Sequence, residues 1–201
     1  MTLRVGINGF GRTGRQAFRA WYQRRRDDFE VVAINGRTPV EMHTHLLRHD
    51  SDYGAFPADV QDGDGRFTVT ANGSSHEVAV FQQDDPEQID WSSLDIDLVI
   101  DSTGAFRDRE GASKHLGGSV QKVLISAPAR GEDWTVIMGV NDGDYDAAAH
   151  NIVSAGSCTT NCVVPVVKVL HDAFGVERGF MTTIHAYTRD QNLVDSKHKD
   201  L

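Results

Sequence analysis

The sequence predicts an α/β fold built on a doubly wound, largely parallel sheet. Short apolar runs alternate along the chain with segments that have the spacing of amphipathic helices. A glycine-rich turn joins the first apolar run to the first helical segment, and a cysteine-containing turn follows the last apolar run. Because strands that alternate with helices are joined by crossovers, they lie parallel to one another. We therefore expect a parallel sheet that is interrupted by one antiparallel insertion.

Each element of this fold is predicted from a local pattern. Apolar runs predict strands, and apolar residues at helical spacing, such as Phe18 and Trp21, predict helices. A helix at 39–49 has Thr38 as its expected N-cap. Alternating runs on both sides of Asn72-Gly73 predict a hairpin over 67–81, which is the antiparallel insertion. The predicted strands span 3–8, 29–35, 97–101, 122–125 and 135–138, and the predicted helices span 15–26, 39–49 and 107–116.

Composition and charge exclude several classes of protein. The length of 201 residues exceeds that of a typical domain without clearly providing for two complete ones. A hydrophobic content of 39% with 24% charged residues is typical of a soluble globular protein, and the net charge of −9 disfavours nucleic-acid binding. No apolar stretch reaches 18 residues, and no leader pattern precedes the first strand. With only two cysteines, a cytoplasmic protein is expected.

The first turn has the pattern of a dinucleotide-binding loop. Residues 9–14, GFGRTG, match G-x-G-x-x-G between a predicted strand and a predicted helix. Glycines at these positions permit a tight turn and the close approach of a pyrophosphate to backbone N–H groups. The alternative is a glycine-rich turn without a ligand.

The end of the second strand bears on which dinucleotide binds. Sites selective for NAD usually place Asp or Glu there to bind the ribose hydroxyls. This chain has Gly36-Arg37 after Asn35, which removes the carboxylate and adds a cation that can pair with a 2′-phosphate. NADP is therefore favoured and NAD remains possible. The alternative for Arg37 is a solvent-exposed arginine in a loop.

Cys158 has the surroundings of a nucleophile. The motif SCTTNC at 157–162 lies between an apolar pair at 152–153 and an apolar stretch at 163–170, which predicts a strand, a tight turn and a helix with Cys158 in its first turn. A helix N-terminus favours the thiolate and lowers the pKa of a cysteine. His185 follows a β-run at 182–184 and is a possible base for the thiol. The alternative is a buried cysteine and an unrelated histidine.

Several motifs together resemble phosphorylating glyceraldehyde-3-phosphate dehydrogenase. They follow one another in the family's order along the whole chain: GINGFGRTGR at 6–15, STGAF at 102–106, ISAPA at 125–129, MGVN at 138–141, SCTTNC at 157–162 and TTIHAYTRDQN at 182–192. Because the family's chain is longer, the resemblance implies a C-terminally truncated member. Residues 1–157 would form the Rossmann-type dinucleotide-binding domain, and residues 158–201 would form the start of an incomplete α+β catalytic domain.

The resemblance implies an NAD(P)-dependent oxidoreductase of carbohydrate metabolism. In the family, the cysteine matched by Cys158 attacks glyceraldehyde 3-phosphate to give a thiohemiacetal, and the histidine matched by His185 is the base. Hydride then passes to the nicotinamide, and inorganic phosphate cleaves the resulting thioester to 1,3-bisphosphoglycerate. The family's homotetramer and its role in glycolysis are implied in the same way.

The same resemblance implies roles for the binding residues. Ser157 and Thr159 match the inorganic-phosphate site, and Thr188 and Asp190 match the site of the substrate phosphate. The residues implied for the cofactor are Gly9, Phe10, Gly11, Arg12 and Thr13 at the pyrophosphate, and Ser102, Thr103, Gly104, Phe106 and Ser126 along the cleft. Gly36 and Arg37, which replace the family's usual Asp-Leu, are expected at the ribose. No metal ligand is implied.

A second segment departs from the family in the direction of NADP. Ser196-Lys197 replaces the Leu-Pro pair with which a neighbouring subunit of the family disfavours a 2′-phosphate. This replacement supplies a hydroxyl and a cation, so it shifts the expected preference toward NADP in the same direction as Gly36-Arg37.

Other interpretations stay open at this point. The chain could be a catalytically incompetent NAD(P)-binding fragment or a relative of erythrose-4-phosphate dehydrogenase, and a cysteine hydrolase is disfavoured because hydrolysis needs no dinucleotide. Histidines 43, 45 and 49 are expected on a solvated helix face rather than at a metal, and Cys162 is expected to be buried by packing.

Overall fold

A large sheet organises the chain in the computed structural model, which describes residues 2–24 and 28–187. Among these residues, nine strands form one sheet in the order β10-β11-β9-β8-β1-β2-β7-β6-β5, and β3 and β4 form a small separate ribbon. The strands are β1 (Leu3–Asn8), β2 (Phe29–Asn35), β3 (His49–Asp50), β4 (Gly54–Ala55), β5 (Asp59–Gly63), β6 (Arg66–Ala71), β7 (Ser74–Phe81), β8 (Leu98–Asp101), β9 (Lys122–Ile125), β10 (Trp134–Thr135) and β11 (Ile152–Ser154). The helices are α1 (Arg12–Arg24), α2 (Val40–Arg48), α3 (Arg109–Ser113) and α4 (Cys158–Phe174).

The predicted Rossmann-type fold is confirmed. Strand β1 lies at the centre and pairs in parallel with β2 on one side and with β8 on the other. The parallel pairing continues through β9, β11 and β10. Residues such as Val5, Ile7 and Ile34 are fully buried, because a parallel sheet is covered on both faces and its strands are nearly continuous apolar runs.

The predicted hairpin forms, but it belongs to the main sheet. Asn72 and Gly73 have φ values of 52° and 77°, as a two-residue turn with left-handed backbone requires. Strand β7 pairs in parallel with β2, so among the nine described strands of this sheet only β6 is antiparallel to the rest, and β5, which is antiparallel to β6, points in the same direction as β7. The antiparallel insertion expected over 67–81 is therefore limited to β6, because β7 runs parallel to β2. Its second half carries the buried Val78, which packs into the same core as β1 and β2.

Several predicted boundaries are corrected by local contacts. Helix α1 begins at Arg12 rather than at residue 15. The N-cap of α2 is Pro39, without a side-chain hydrogen bond, because the hydroxyl of Thr38 instead contacts the ring of His43. Helix α3 is shorter than predicted and is capped by the side chain of Asp108. The strand predicted at 135–138 is reduced to β10.

Aromatic side chains pack against the glycine-rich turn between β1 and α1. Phe10 in the glycine-rich turn meets Phe18 of α1 edge-to-face, with ring centroids 5.8 Å apart, and lies 6.3 Å from Phe67 of β6. All three side chains are buried. Edge-to-face contacts of this kind add to the free energy of burial and fix the relative orientation of the rings. The turn is thereby held rigidly against the sheet.

The strand, turn and helix predicted around Cys158 are confirmed. Strand β11 is followed by Gly156 with φ of 67°, and α4 begins at Cys158. None of the residues of α4 is buried. Cys162 is therefore exposed, and the expectation that packing would bury it was wrong. The β-run predicted before His185 does not form a strand, since none of the chain described in the structure pairs with it. No described helix has both the length and the apolar composition needed to cross a membrane.

Candidate active site

A cleft lies where the carboxyl ends of β1, β2 and β8 meet, which is the position at which parallel sheets of this kind bind nucleotides. Its volume is about 460 Å³. The lining comes from the turn after β1, the loops after β2 and β8, and the segment after β7, with additional side chains from the first two helices.

The glycines of the first turn are needed for three different reasons. Gly9 has φ of 89°, and a Cβ there would also lie 2.8 Å from the backbone nitrogen of Thr103. A Cβ at Gly14 would lie 2.2 Å from the carbonyl oxygen of Gly9, so this glycine lets α1 approach the turn. A Cβ at Gly11 would meet nothing within 4 Å. Gly11 therefore leaves its backbone open toward the cleft, as close approach of a pyrophosphate requires.

A buried hydrogen-bond network supports the loop after β8. Trp91 Nε1 donates to Nδ1 of His115 at 3.1 Å, and Nε2 of His115 lies 3.2 Å from Oδ2 of Asp101. The other carboxylate oxygen of Asp101 accepts from the amide and the hydroxyl of Thr103, at 3.0 and 2.7 Å. Asn8 donates to Oδ2 of Asp101 at 2.9 Å. The network links the ends of β1 and β8 to the residues that line the cleft.

The pairing of β2 with β7 brings a second segment to the cleft. Asn35 donates to the carbonyl of Gln83 and accepts from its amide, both at 2.9 Å. The next residue, Asp84, forms an ion pair with Arg37, with Nε and Oδ1 2.7 Å apart. Both side chains remain largely exposed, at 75% and 81%. The residues that follow β2 thus carry no carboxylate into the cleft, but the segment after β7 supplies the carboxylate of Asp84, which faces Arg37.

Most of the cofactor residues expected from the sequence line this cleft. They are Gly9, Phe10, Gly11, Gly36, Arg37, Ser102, Thr103 and Phe106. Arg12, Thr13 and Gly104 are exposed nearby in the chain but are not part of the lining, and Ser126 is half-buried at the end of β9. Ser196 and Lys197 lie outside the described residues.

Sequence reasoning missed seven polar residues of the lining, which are Asn8, Arg15, Asn35, Thr38, His43, Gln83 and Asp84. Gln83 and Asp84 had no local signal, because they reach the cleft only through the pairing of β7 with β2. His43 had been expected on a solvated face. The structure buries this residue to 4% exposure, and burial, opposed by the effect of the Gly36 backbone, lowers the pKa of His43.

The thiol of Cys158 and the imidazole of His185 lie together, with Sγ and Nε2 3.2 Å apart. The hydrogen bond with His185 lowers the pKa of the Cys158 thiol, and further hydrogen bonds from the amide and hydroxyl of Thr159 act in the same direction. Reciprocally, the contact with Cys158 raises the pKa of His185. Nδ1 of His185 donates to the carbonyl of Ala186, which leaves Nε2 to accept the thiol proton.

Ser157 is the N-cap of α4. Its hydroxyl oxygen accepts from the amide of Thr160 at 2.9 Å and lies 2.7 Å from the hydroxyl of the same residue. The cap pairs one of the free N–H groups at the start of α4, the helix that begins with Cys158. Thr188 and Asp190, the expected substrate-phosphate residues, lie outside the described residues.

The histidines of α2 and the neighbouring His49 do not form a metal site in the part of the chain that the structure describes. The rings of His45 and His49 are 4.9 Å apart. No group of three or more His, Cys, Asp or Glu side chains within the described ranges is arranged to hold a metal ion.

Comparison with known proteins matches both parts of the chain. The profile of the glyceraldehyde 3-phosphate dehydrogenase NAD binding domain matches residues 3–109, and the profile of the C-terminal domain of the same enzyme matches residues 157–201. Glyceraldehyde-3-phosphate dehydrogenase 1 of Streptomyces arenae is 50% identical over 201 residues, which cover 100% of this chain and 59% of that protein.

Two further relatives agree with this match. Glyceraldehyde-3-phosphate dehydrogenase 1 of Bacillus cereus is 50% identical over 198 residues, covering 98% of this chain and 58% of the relative. Glyceraldehyde-3-phosphate dehydrogenase of Geobacillus stearothermophilus is 48% identical over 201 residues, which cover 100% of this chain and 58% of that protein. The chain therefore spans somewhat less than three fifths of the length of the relatives it matches.

Proposed function

Since this chain belongs to the glyceraldehyde-3-phosphate dehydrogenase family, we propose that the protein oxidises glyceraldehyde 3-phosphate with inorganic phosphate to 1,3-bisphosphoglycerate. The observation that carries this proposal is the 3.2 Å contact between Cys158 Sγ and His185 Nε2 at the N-terminus of α4. A thiol in contact with a base, at the positive end of a helix dipole, is an activated nucleophile.

The two side chains divide the chemistry between them. Nε2 of His185 accepts the thiol proton, and the thiolate of Cys158 attacks the aldehyde carbon. The imidazolium of His185 returns that proton to the carbonyl oxygen as the carbon–sulfur bond forms, and the sulfur holds the substrate as a thiohemiacetal. His185 takes the hydroxyl proton again as the hydride leaves the same carbon. The bound dinucleotide supplies the hydride acceptor. Cys158 retains the acyl group as a thioester until phosphate attacks the carbonyl carbon, and the thiolate leaves as the carbon–sulfur bond breaks.

The cleft residues fit a dinucleotide. The open backbone of Gly11 suits a pyrophosphate, and the buried hydroxyl of Ser102 lines the cleft without a hydrogen-bond partner among the described residues. We propose that NADP is favoured and that NAD is also bound. Arg37 supports this preference, whereas Asp84 opposes it by competing for the same guanidinium. Ser196 and Lys197 are proposed to contribute to the same preference.

We propose the remaining assignments on the family relationship. Ser157 and Thr159 would bind inorganic phosphate, and Thr188 and Asp190 would bind the substrate phosphate. The dinucleotide-binding domain would comprise residues 1–157, and the catalytic domain would begin at residue 158. The active protein is proposed to be a cytoplasmic homotetramer.

The test is the formation of reduced nicotinamide from glyceraldehyde 3-phosphate and inorganic phosphate, with NADP and with NAD in parallel. We expect turnover by the unmodified protein and its loss in Cys158→Ala. Turnover that survives this substitution would refute the catalytic assignment. Dinucleotide binding without turnover would support the alternative of a nucleotide-binding chain without catalysis, which the exposure of Cys158 and of α4 favours. Faster turnover of erythrose 4-phosphate would indicate the related dehydrogenase.

A further inference from the structure

We propose that His43 determines the specificity of the nucleotide site, because its ring occupies the volume in which a side chain at position 36 would lie. An acidic side chain at that position is the usual means of selecting NAD. The ring of His43 therefore excludes the NAD-selecting carboxylate and fixes the loop that carries Arg37. This inference rests on the proposed binding of a dinucleotide in the cleft.

Gly36 is required by space rather than by backbone conformation. A Cβ built on Gly36 would lie 2.4 Å from both Cε1 and Nε2 of His43, so the ring would have to move to admit a side chain at position 36. Gly36 is not among the glycines with positive φ, so its backbone is open to any residue. The position of the His43 ring therefore depends on the absence of a side chain at position 36.

The ring of His43 is held in place from three sides. Its nitrogens lie 3.1 and 3.2 Å from the hydroxyl of Thr38, and the ring packs against Gly36. The ring of Phe10 meets it edge-to-face with centroids 5.7 Å apart. Because the ring is also buried, a side chain at position 36 could enter only by displacing it from these contacts.

These contacts make His43 a positioning residue for the ribose end of the cleft. Through its contacts with Gly36 and Thr38 it fixes the two residues that flank Arg37, whose guanidinium lines the cleft and would bind a 2′-phosphate in competition with Asp84. Arg15 from α1 lines the same cleft and adds a second positive charge near the ring. The residues of this region therefore suit a 2′-phosphorylated ribose better than one with a free hydroxyl.

A double-mutant cycle tests the packing without any ligand. The unmodified protein is compared with Gly36→Asp, His43→Ala and the double variant, and thermal unfolding is followed by circular dichroism. We expect Gly36→Asp alone to lower Tm by about 4 °C or more, as overpacking does in a protein of this size. Gly36→Asp should lower Tm much less in the His43→Ala background. His45→Ala is the matched control. His45 is exposed on the same helix, so its removal should not reduce the fall in Tm that Gly36→Asp causes.

Binding of the two dinucleotides tests the specificity. The Kd values of NADP⁺ and NAD⁺ are measured by isothermal titration calorimetry for the same variants. We expect the preference for NADP⁺ to fall by about tenfold or more in Gly36→Asp with His43→Ala, because a carboxylate can then accept from the ribose hydroxyls and repel the 2′-phosphate. Gly36→Asp with His45→Ala should bind both dinucleotides poorly.

The possible failures are distinguishable. An equal loss of Tm for Gly36→Asp in both backgrounds would overturn the packing arrangement, whatever the protein binds. An unchanged ratio of the two Kd values in the double variant would overturn the role of His43 in specificity while leaving dinucleotide binding intact. If the unmodified protein bound neither dinucleotide, the proposed function and the specificity role would both be refuted.

Discussion

Trp91 donates its indole proton to Nδ1 of His115 across 3.1 Å, and this contact determines which ring nitrogen of His115 carries a proton. Because Nδ1 is the acceptor, the proton lies on Nε2, which donates to Asp101 at 3.2 Å. The amide of Asn8, also 3.2 Å from Nε2, is then a neighbour rather than a hydrogen-bond partner of His115, and it donates to Asp101 instead.

Replacing Trp91 with Phe keeps most of the ring but removes the donor. His115 would then be left with an unpaired acceptor in a fully buried site, so we expect a loss of about 1–3 kcal/mol in the free energy of unfolding. The measurement is urea denaturation. Trp134→Phe is the matched control, since Trp134 Nε1 has no partner among the described residues and loses no hydrogen bond. Equal losses in the two variants would contradict the role of the network.

Two glycines of the first turn should separate binding from stability. Gly11→Ala places its methyl group in open space, so we expect an unchanged Tm and a Kd for the dinucleotide that rises by about tenfold. Gly14→Ala brings Cβ to 2.2 Å from the carbonyl of Gly9, so we expect a fall in Tm. Thermal unfolding and calorimetric titration measure both effects. A Gly11→Ala variant that binds normally would place the pyrophosphate elsewhere.

The thiol of Cys158 should titrate below the usual value of about 8.5. Its hydrogen bond with His185 stabilises the thiolate, so alkylation should become fast at a lower pH than for an ordinary cysteine. In His185→Asn the midpoint should move upward. The rate of reaction with iodoacetamide is followed against pH in a Cys162→Ser background, because Cys162 is also exposed. Identical midpoints with and without His185 would show that the contact does not activate the thiol.

Arg37 and Asp84 should act on NADP binding in opposite directions. Arg37→Leu removes the cation for the 2′-phosphate, and we expect the Kd of NADP⁺ to rise about tenfold while that of NAD⁺ stays the same. Asp84→Asn removes the carboxylate that competes for Arg37, so the Kd of NADP⁺ should fall. Titrations at two salt concentrations should show a weaker salt dependence in Arg37→Leu. Parallel changes for both dinucleotides would argue against a contact with the 2′-phosphate.

Asp133 should contribute stability that is lost in acid. Burial raises the pKa of its carboxyl, but hydrogen bonds from the amides of Ile152 and Asn151 and the ion pair with Arg109 outweigh burial and lower the pKa to about 2. Because this value lies below the ordinary 3.8, the contribution is complete above about pH 4 and disappears as pH falls through about 2.

The corresponding variant is Asp133→Asn. Near neutral pH we expect a loss of about 1 kcal/mol, a value that allows for the partial exposure of the pair. Urea denaturation at several pH values should show this difference shrinking as the pH is lowered from 4 toward 2. Asp172→Asn, whose partner Lys168 lies on the same exposed helix, is the control and should have a smaller effect. A difference independent of pH would refute the ionic contribution.

Local patterns were sufficient for much of the fold. The strands at 3–8 and 29–35 agree with the structure residue for residue, because a continuous apolar run that is covered on both faces has few other arrangements. The turn at Asn72-Gly73 and the helix start at Cys158 were also predictable, since turn and cap preferences depend on neighbouring residues. Helix ends such as that of α3 were not, because they depend on contacts from outside the helix.

The sequence by itself determined the parallel α/β fold, the glycine-rich turn and the cysteine at the start of α4, and all of these follow from residues close together in the chain. Only the tertiary structure decided that β7 joins β2 and brings Asp84 to Arg37, and that His43 fills the space beside Gly36. It also brought Cys158 to within 3.2 Å of His185. Such contacts depend on how whole elements pack against each other, so no local periodicity or turn preference encodes them.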